Sequence, residues 1–289
     1  MTETGCLPKL RIFLEMIKFT HTVFALPFAL TGALLAAGDF PSVRQTIWII
    51  LAMVGARTAA MAMNRLIDAE IDARNPRTSG RAIPAGLLGS GLTLFFIIAS
   101  MALMLFSAAM LNPLCLKLSP IALFFLVLYS YCKRFTSLAH VVLGICLAAA
   151  PIGAWVAIRG QIEAPALVLG GVVLFWVAGF DILYALQDRE FDRAAGLHSI
   201  PVLLGVNGSL WTARIFHLVM MGLLLGLFSI MQLGSIFMIG ILVVAGMLLY
   251  EHWLLKDGNL EKLDAAFFNM NGYISVAILL FTAAEVLTR

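Results

Sequence analysis

Asn64-Arg-Leu-Ile-Asp68-Ala-Glu-Ile-Asp72 closes an apolar run at residues 43–64, and Asp181-Ile-Leu-Tyr184-Ala-Leu-Gln-Asp188-Arg-Glu-Phe-Asp192 closes another at 165–186. Carboxylates at the edge of hydrocarbon are costly, so acid clusters in that position mark a functional site. Two of them predict a pair of divalent-cation sites facing each other across a pocket. Mg2+ favours carboxylate oxygens and shares them with the phosphates of a substrate.

The spacing supports the pairing. Asn64, Asp68 and Asp72 stand four residues apart, along one helical face. Asp181, Asp188 and Asp192 fall at i, i+7 and i+11, again one face, with Asp72 and Asp192 reaching toward the following loops. Arg57 lies seven residues before Asn64 and shares its face. An unpaired arginine in hydrocarbon is expensive, so Arg57 is expected to look into the same cavity.

The rest of the chain is membrane-like. Of its 289 residues 62% are hydrophobic and 12% charged, with a mean hydropathy of +0.99, more apolar surface than a soluble core needs. Apolar runs long enough to cross a bilayer recur about nine times. They lie near 17–38, 43–64, 90–111, 114–131, 137–158, 165–186, 210–231, 234–255 and 266–287. Strand-like alternation is missing, which argues against a β-barrel. The fold class expected is an all-α integral membrane protein, about nine helices around a central polar cavity, forming one domain over residues 1–289. No short apolar core with a small-residue cleavage site opens the chain, so no signal peptide is expected.

The net charge of +3 matters less than its distribution. With the N-terminus in the cytoplasm, 14 of the Lys and Arg residues fall on the cytoplasmic side and 4 on the other, with Arg57 inside a span. The positive-inside rule therefore places both acid clusters at the cytoplasmic face of the membrane. Topology accounts for the basic balance and leaves no case for nucleic acid. Cys6, Cys115, Cys132 and Cys146 show neither metal nor disulfide spacing and read as small apolar residues.

Polar stretches at about 65–89 and 187–208 each follow an acid cluster and carry turn residues, among them Asn75-Pro76, Gly86, Gly196 and Gly205. Four spans separate the two devices, a loose internal pseudo-repeat. Tyr129 and Lys133 stand one turn apart and can together grip phosphate oxygens, or serve as an aromatic belt and a snorkelling anchor. His21 faces the polar pocket or is structural, and His198 reads as a loop-packing residue. The acids could instead be helix ends paired with Arg65, Arg189 and Arg193, although solvated helix ends do not need such spaced carboxylates twice.

The Asn64…Asp68…Asp72 pattern, the Asp181-x-x-Tyr184-Ala-x-x-Asp188-x-x-x-Asp192 pattern and the Tyr129-x-x-x-Lys133 pair resemble those of the UbiA superfamily of intramembrane prenyltransferases. The resemblance covers nearly the whole chain, including Arg81-Ala-Ile-Pro-Ala-Gly86 and Gly196-Leu-His-Ser-Ile-Pro201. It implies a Mg2+-dependent transfer of a polyprenyl group from polyprenyl diphosphate to an aromatic acid, in quinone biosynthesis. 4-Hydroxybenzoate is the acceptor expected first, and 1,4-dihydroxy-6-naphthoate of the futalosine route to menaquinone is the alternative. On this reading Asn64, Asp68, Asp72, Asp188 and Asp192 hold metal, and Tyr129, Lys133 and Arg65 hold diphosphate. Asp68, Asp181 and Asp188 are catalytic, with Asp181 orienting or deprotonating the phenol. Arg57 and Tyr184 bind the acceptor, unless Arg57 is an ion-pair partner of Asp68 or Asp181.

Two other classes are weighed against this one. A cation- or proton-coupled transporter predicts acids near mid-membrane on broken helices, whereas these cluster at one interface beside basic loops. A CDP-alcohol phosphotransferase needs an Asp-Gly before its Ala-Arg, which Gly55-Ala-Arg57 lacks.

Overall fold

The computed structural model describes residues 6–17, 25–255 and 270–289. Every regular element among them is a helix. In chain order these are α1 (Cys6–Met16), α2 (Leu26–Ala37), α3 (Val43–Ile67), α4 (Ala69–Arg74), α5 (Ser90–Leu111), α6 (Pro113–Cys132) and α7 (Ala139–Arg159). There follow α8 (Ala164–Tyr184), a 3-10 turn (Ala185–Asp188), α9 (Arg189–Ala194), α10 (Ile200–Ile230), α11 (Ser235–Leu254) and α12 (Asn271–Leu287). The chain is thus the all-helical membrane protein the hydropathy predicts.

Among the described residues seven helices are long and apolar enough to cross a membrane: α3, α5, α6, α7, α8 with its continuation, α10 and α11. The expected first and last spans appear as the shorter apolar helices α2 and α12. The remainder of those two spans, 18–24 and 266–269, lies outside the described residues, as does His21. The expected run at 210–231 is part of a longer helix. α10 starts at Ile200 and carries a break at Gly205 (φ 68, ψ −173), a conformation open chiefly to glycine.

Local chemistry sets the helix ends. Ser42 caps α3 in a reciprocal box with Gln45, each satisfying a backbone N–H of the other. Asn112 caps α6 by accepting from the Cys115 N–H at 2.9 Å, and its amide donates to Val156 O at 2.8 Å, which ties the start of α6 to the end of α7. α2 and α7 end at Gly38 and Gly160, both with positive φ.

α8 forms the centre of the bundle. Leu169, Val172, Trp176, Val177 and Ile182 are fully buried between α7 and α10. Phe28 of α2 and Phe180 pack on the Trp176 ring. α3 packs on α5, α2 on α7, and α11 on α12. Outward faces carry Phe95, Leu218, Leu242 and Leu249, each more than half exposed. A large apolar outer surface is what a bilayer, rather than water, accommodates.

Close helix approaches depend on single glycines. A Cβ at Gly55 on α3 would meet Ser100 O at 2.7 Å and Met104 N at 2.8 Å on α5. Both are backbone atoms and cannot step aside. A Cβ at Gly153 on α7 meets nothing within 4 Å. Gly55→Ala is therefore expected to lower stability by about 1–3 kcal/mol through overpacking. Gly153→Ala should raise it by up to about 1 kcal/mol through helix propensity. Thermal unfolding of the two variants in detergent checks the opposite signs.

Candidate active site

The first acid motif lies on a helix junction. α3 stops at Ile67, and Asp68 (φ −90, ψ 4) separates it from α4. The hydrogen-bond ladder nevertheless continues, from the Asp68 N–H to Asn64 O at 3.0 Å and from the Asp72 N–H to Asp68 O at 2.8 Å. The four-residue spacing thus keeps its meaning across the break. The Asn64 amide donates to Asp68 Oδ2 at 3.1 Å. Asp68 and Asp72 are buried, while Glu70 of the same motif points outward.

Each buried acid is met by a cation from a distant segment. Lys133 Nζ lies 2.9 Å from Asp68 Oδ2, and Arg134 Nη1 lies 3.0 Å from Asp68 Oδ1. Arg134 also donates to Ile67 O at 2.9 Å and to Ser130 O at 2.7 Å. Arg81 Nη1 donates to both oxygens of Asp72 at 2.7 Å. Tyr129 and Lys133 belong to one turn as expected, with Lys133 at the C-terminal cap of α6.

The second motif is wound differently from the expectation. After Tyr184 the chain tightens into the 3-10 turn before α9 begins. Four residues at about 3.0 rather than 3.6 per turn add roughly 80° of rotation, which leaves Asp188 about 60° round the axis from Asp181, and the two acids take different partners. Asp188 turns toward the loop after α4. The Asn75 amide donates to its Oδ1 at 3.0 Å, Arg77 Nε to the same oxygen at 2.9 Å, and Arg77 Nη2 to Oδ2. Burial opposes the Arg77 charge, but the hydrogen bond and charge of Asp188 outweigh it and raise its pKa. Arg77 also lies over the Tyr184 ring. Asp181 turns elsewhere, its Oδ2 2.7 Å from His140 Nδ1 on α7.

The two motifs come together around Lys133. Its charge is felt by Asp188 and by Asp192, while its ammonium touches Asp68. Tyr129 lies within electrostatic reach of Asp68, Asp181 and Arg65. Arg65 is likewise within reach of Asp68 and Asp72. Asp192 forms no ion pair among the described residues. Among them, too, no three His, Cys, Asp or Glu side chains are close enough to hold a metal by themselves. The acids that do pair stand beside cations: Asp68 beside Lys133 and Arg134, Asp72 beside Arg81, and Asp188 beside Arg77.

Arg57 has no ion pair among the described residues, and its Nε is buried without a hydrogen-bond partner. The alternative of a pair with Asp68 or Asp181 does not occur, since Lys133 and Arg134 take the first and His140 the second. The helix-end alternative also names the wrong partners. Arg189 pairs with the exposed Glu190, and the buried acids use Arg77, Arg81, Lys133 and Arg134. His198 is exposed, and only its backbone is held, its N–H donating to Lys133 O at 2.7 Å.

Sequence reasoning missed Asn75, Arg77, Arg134 and His140 as members of the site. The first two were visible only as turn and loop residues, and Arg134 only as a neighbour of Lys133. His140 opens an apolar helix with no nearby acid in sequence. Arg134→Lys keeps the charge but not the fork that reaches three acceptors at once. It is expected to cost about 1–2 kcal/mol, read as a lower melting temperature of the purified protein.

The chain matches known proteins along most of its length. Residues 25–273 match the model of the UbiA prenyltransferase family. A relative from Aliivibrio salmonicida, a 4-hydroxybenzoate octaprenyltransferase, is 30% identical over 280 residues, 94% of this chain and 97% of its own. Another of the same name from Vibrio cholerae is 29% identical over 278 residues, covering 93% of this chain and 95% of its own. The apo structure of a UbiA homologue from Aeropyrum pernix K1 superposes with a TM-score of 0.80 at 31% identity, covering 93% of this chain and 98% of that one. A UbiA homologue from Archaeoglobus fulgidus bound to DMAPP and Mg2+ shares the fold, with a TM-score of 0.73 at 19% identity over 96% and 99% of the two chains. A bundle of apolar helices with two acid motifs drawn together around a lysine, matched along its length by that family, identifies the chain as a member of the UbiA prenyltransferase family and a multi-pass membrane prenyltransferase.

Proposed function

We propose that the protein transfers a polyprenyl group from polyprenyl diphosphate to 4-hydroxybenzoate, forming a carbon–carbon bond beside the phenol. One observation carries this reading: Asp68, Asp188 and Asp192 gather around Lys133 beside Tyr129. The names of the relatives support the acceptor.

The donor set fits Mg2+ when it is bound together with diphosphate. Such an ion needs only one or two protein carboxylates, the remaining oxygens coming from phosphate and water. Asn64, Asp68, Asp72, Asp188 and Asp192 supply hard oxygen donors from both motifs and would hold it. Bound Mg2+ supplies Lewis-acid neutralisation of the charge that grows on the leaving diphosphate.

The protein does the rest. Lys133, Tyr129 and Arg65 donate to diphosphate oxygens, as fixed groups that need no reorganisation when charge develops. The cations that neutralise the carboxylates in this structure are suited to turn toward phosphate. Arg57 grips the acceptor carboxylate, because its guanidinium fork matches a carboxylate in geometry and its buried Nε has no other partner. Tyr184, held under Arg77, borders the acceptor. Apolar walls keep water from the allylic cation. The isoprenoid tail extends into lipid, and the charge bias of the loops supports a reaction at the cytoplasmic face of the inner membrane.

Membranes containing the protein, supplied with Mg2+ and a polyprenyl diphosphate, are expected to prenylate 4-hydroxybenzoate and to stop on addition of EDTA. Product from 1,4-dihydroxy-6-naphthoate alone, offered in parallel, would overturn the acceptor. Asp68→Ala and Asp188→Ala should each lower turnover at least about 100-fold with normal membrane insertion. Wild-type turnover in either variant would sink the assignment of these acids. Arg57→Ala should raise the KM for 4-hydroxybenzoate by about 10- to 100-fold, since a charge-assisted bidentate contact is worth about 1.5–3 kcal/mol. The KM for the diphosphate should not change.

A further inference from the structure

His140 stands in the first turn of α7 and is buried, 4% exposed. Its Nδ1 lies 2.7 Å from Asp181 Oδ2. A carboxylate oxygen accepts, so Nδ1 is the donor in this contact, and in the neutral tautomer with that arrangement the lone pair sits on Nε2. That Nε2 is buried with no hydrogen-bond partner among the described residues. A polar atom left unpaired in this way is costly unless a ligand completes it.

The surroundings say which ligand. Asp181 lies within electrostatic reach of Tyr129, and His140 within that of Asp192. Tyr129 in turn senses Asp68 and Arg65. The dyad therefore borders the region where the two acid motifs and the diphosphate-binding groups converge. It lies on α7 and α8, whereas the unpaired Arg57 lies on α3. A phenolic acid held by its carboxylate presents its hydroxyl away from the arginine.

We propose that His140 is a catalytic base that takes the phenolic proton of the acceptor, with Asp181 fixing the tautomer and stabilising the imidazolium. The inference rests on the prenyltransferase reading above. A phenol near pKa 10 keeps its proton at neutral pH, so forming the stronger nucleophile calls for a base. The ring proton lost after bond formation leaves a strongly acidic centre and needs no tuned base.

The step balances. The O–H bond of the phenol breaks, its electron pair stays on oxygen, and the proton moves to His140 Nε2. The ring carbon beside that oxygen attacks the allylic carbon, whose bond to diphosphate breaks with the electron pair leaving on diphosphate. The ring proton passes to the released diphosphate, restoring aromaticity, and the phenolate recovers its proton from His140. The family resemblance implies for Asp181 either orienting or deprotonating the phenol. The geometry points to the histidine as the proton acceptor and to Asp181 as the positioning residue behind it.

The test uses the full chain in lipid nanodiscs with Mg2+, geranyl diphosphate and two acceptors, 4-hydroxybenzoate and a ring-fluorinated 4-hydroxybenzoate whose phenol is more acidic. His140→Gln is expected to lower kcat for 4-hydroxybenzoate about 100-fold, to leave the KM for geranyl diphosphate unchanged and to retain slow hydrolysis of that diphosphate. The loss relative to wild type should shrink about tenfold or more with the fluorinated acceptor. Asp181→Asn should show the same selective rescue. An equal loss with both acceptors, or a parallel loss of diphosphate hydrolysis, would assign His140 a merely structural role and overturn the proposal. Unchanged turnover would do the same. If the wild-type enzyme prenylates neither phenol, the prenyltransferase reading for these acceptors fails with it. Transfer by wild type together with a uniform loss in the variant removes only the role of His140.

Discussion

A carboxylate buried at the end of an apolar helix must be neutralised, and the way Asp68 is neutralised organises this end of the molecule. Its three partners are Asn64 on α3, Lys133 at the end of α6 and Arg134 just beyond it. Arg134 goes on to satisfy Ile67 O, one of the carbonyls left over where α3 stops. Lys133 O receives the N–H of His198 ahead of α10. One charge requirement thus joins three helix ends. A buried ion pair is weak as a pure stabiliser, because apolar side chains of similar volume often do as well. Acids and cations kept at such cost point to work on a charged ligand.

The second motif shows how helix winding divides one sequence pattern into two tasks. Tightening over Ala185–Asp188 turns Asp188 toward the loop carrying Asn75 and Arg77 and leaves Asp181 facing α7. Had the α-helix run on, both acids would lie on one face and repel each other near the same ligands. The turn separates a carboxylate that faces cations from one that faces an imidazole. Acid and base roles are commonly divided in this way, by giving similar groups different surroundings.

Long-range packing sets where these helix ends meet. α8 is buried among α7 and α10, and Trp176 anchors it against Phe28 and Phe180. Near its C-terminal end a Cβ at Gly179 would fall on the His217 ring. At the opposite end of the bundle, Trp155, Arg159, Glu163 and Met231 line a depression of about 460 Å3. It lies at the far ends of α7 and α8 from His140 and Asp181, and Trp155 donates there to Glu163 at 2.7 Å. The transporter alternative needs acids in mid-membrane. The carboxylates instead terminate α3 and α8, beside the polar loops.

Hydropathy and spacing by themselves determined the helical membrane class, most helix limits to within a few residues, and the two acid motifs with Tyr129 and Lys133. These are local properties: an apolar run must be long enough to cross, and residues four apart in a helix must be neighbours. Only the tertiary structure decided which cation neutralises which acid. Arg77 lies 111 residues from Asp188, and His140 lies 41 from Asp181. No periodicity links such positions, because their meeting depends on how α3, α6, α7 and α8 pack. The 3-10 turn was hidden for a related reason. Ala-Leu-Gln-Asp is an ordinary helical sequence, and it tightens where the chain leaves the bundle for the polar loop that holds Asp188.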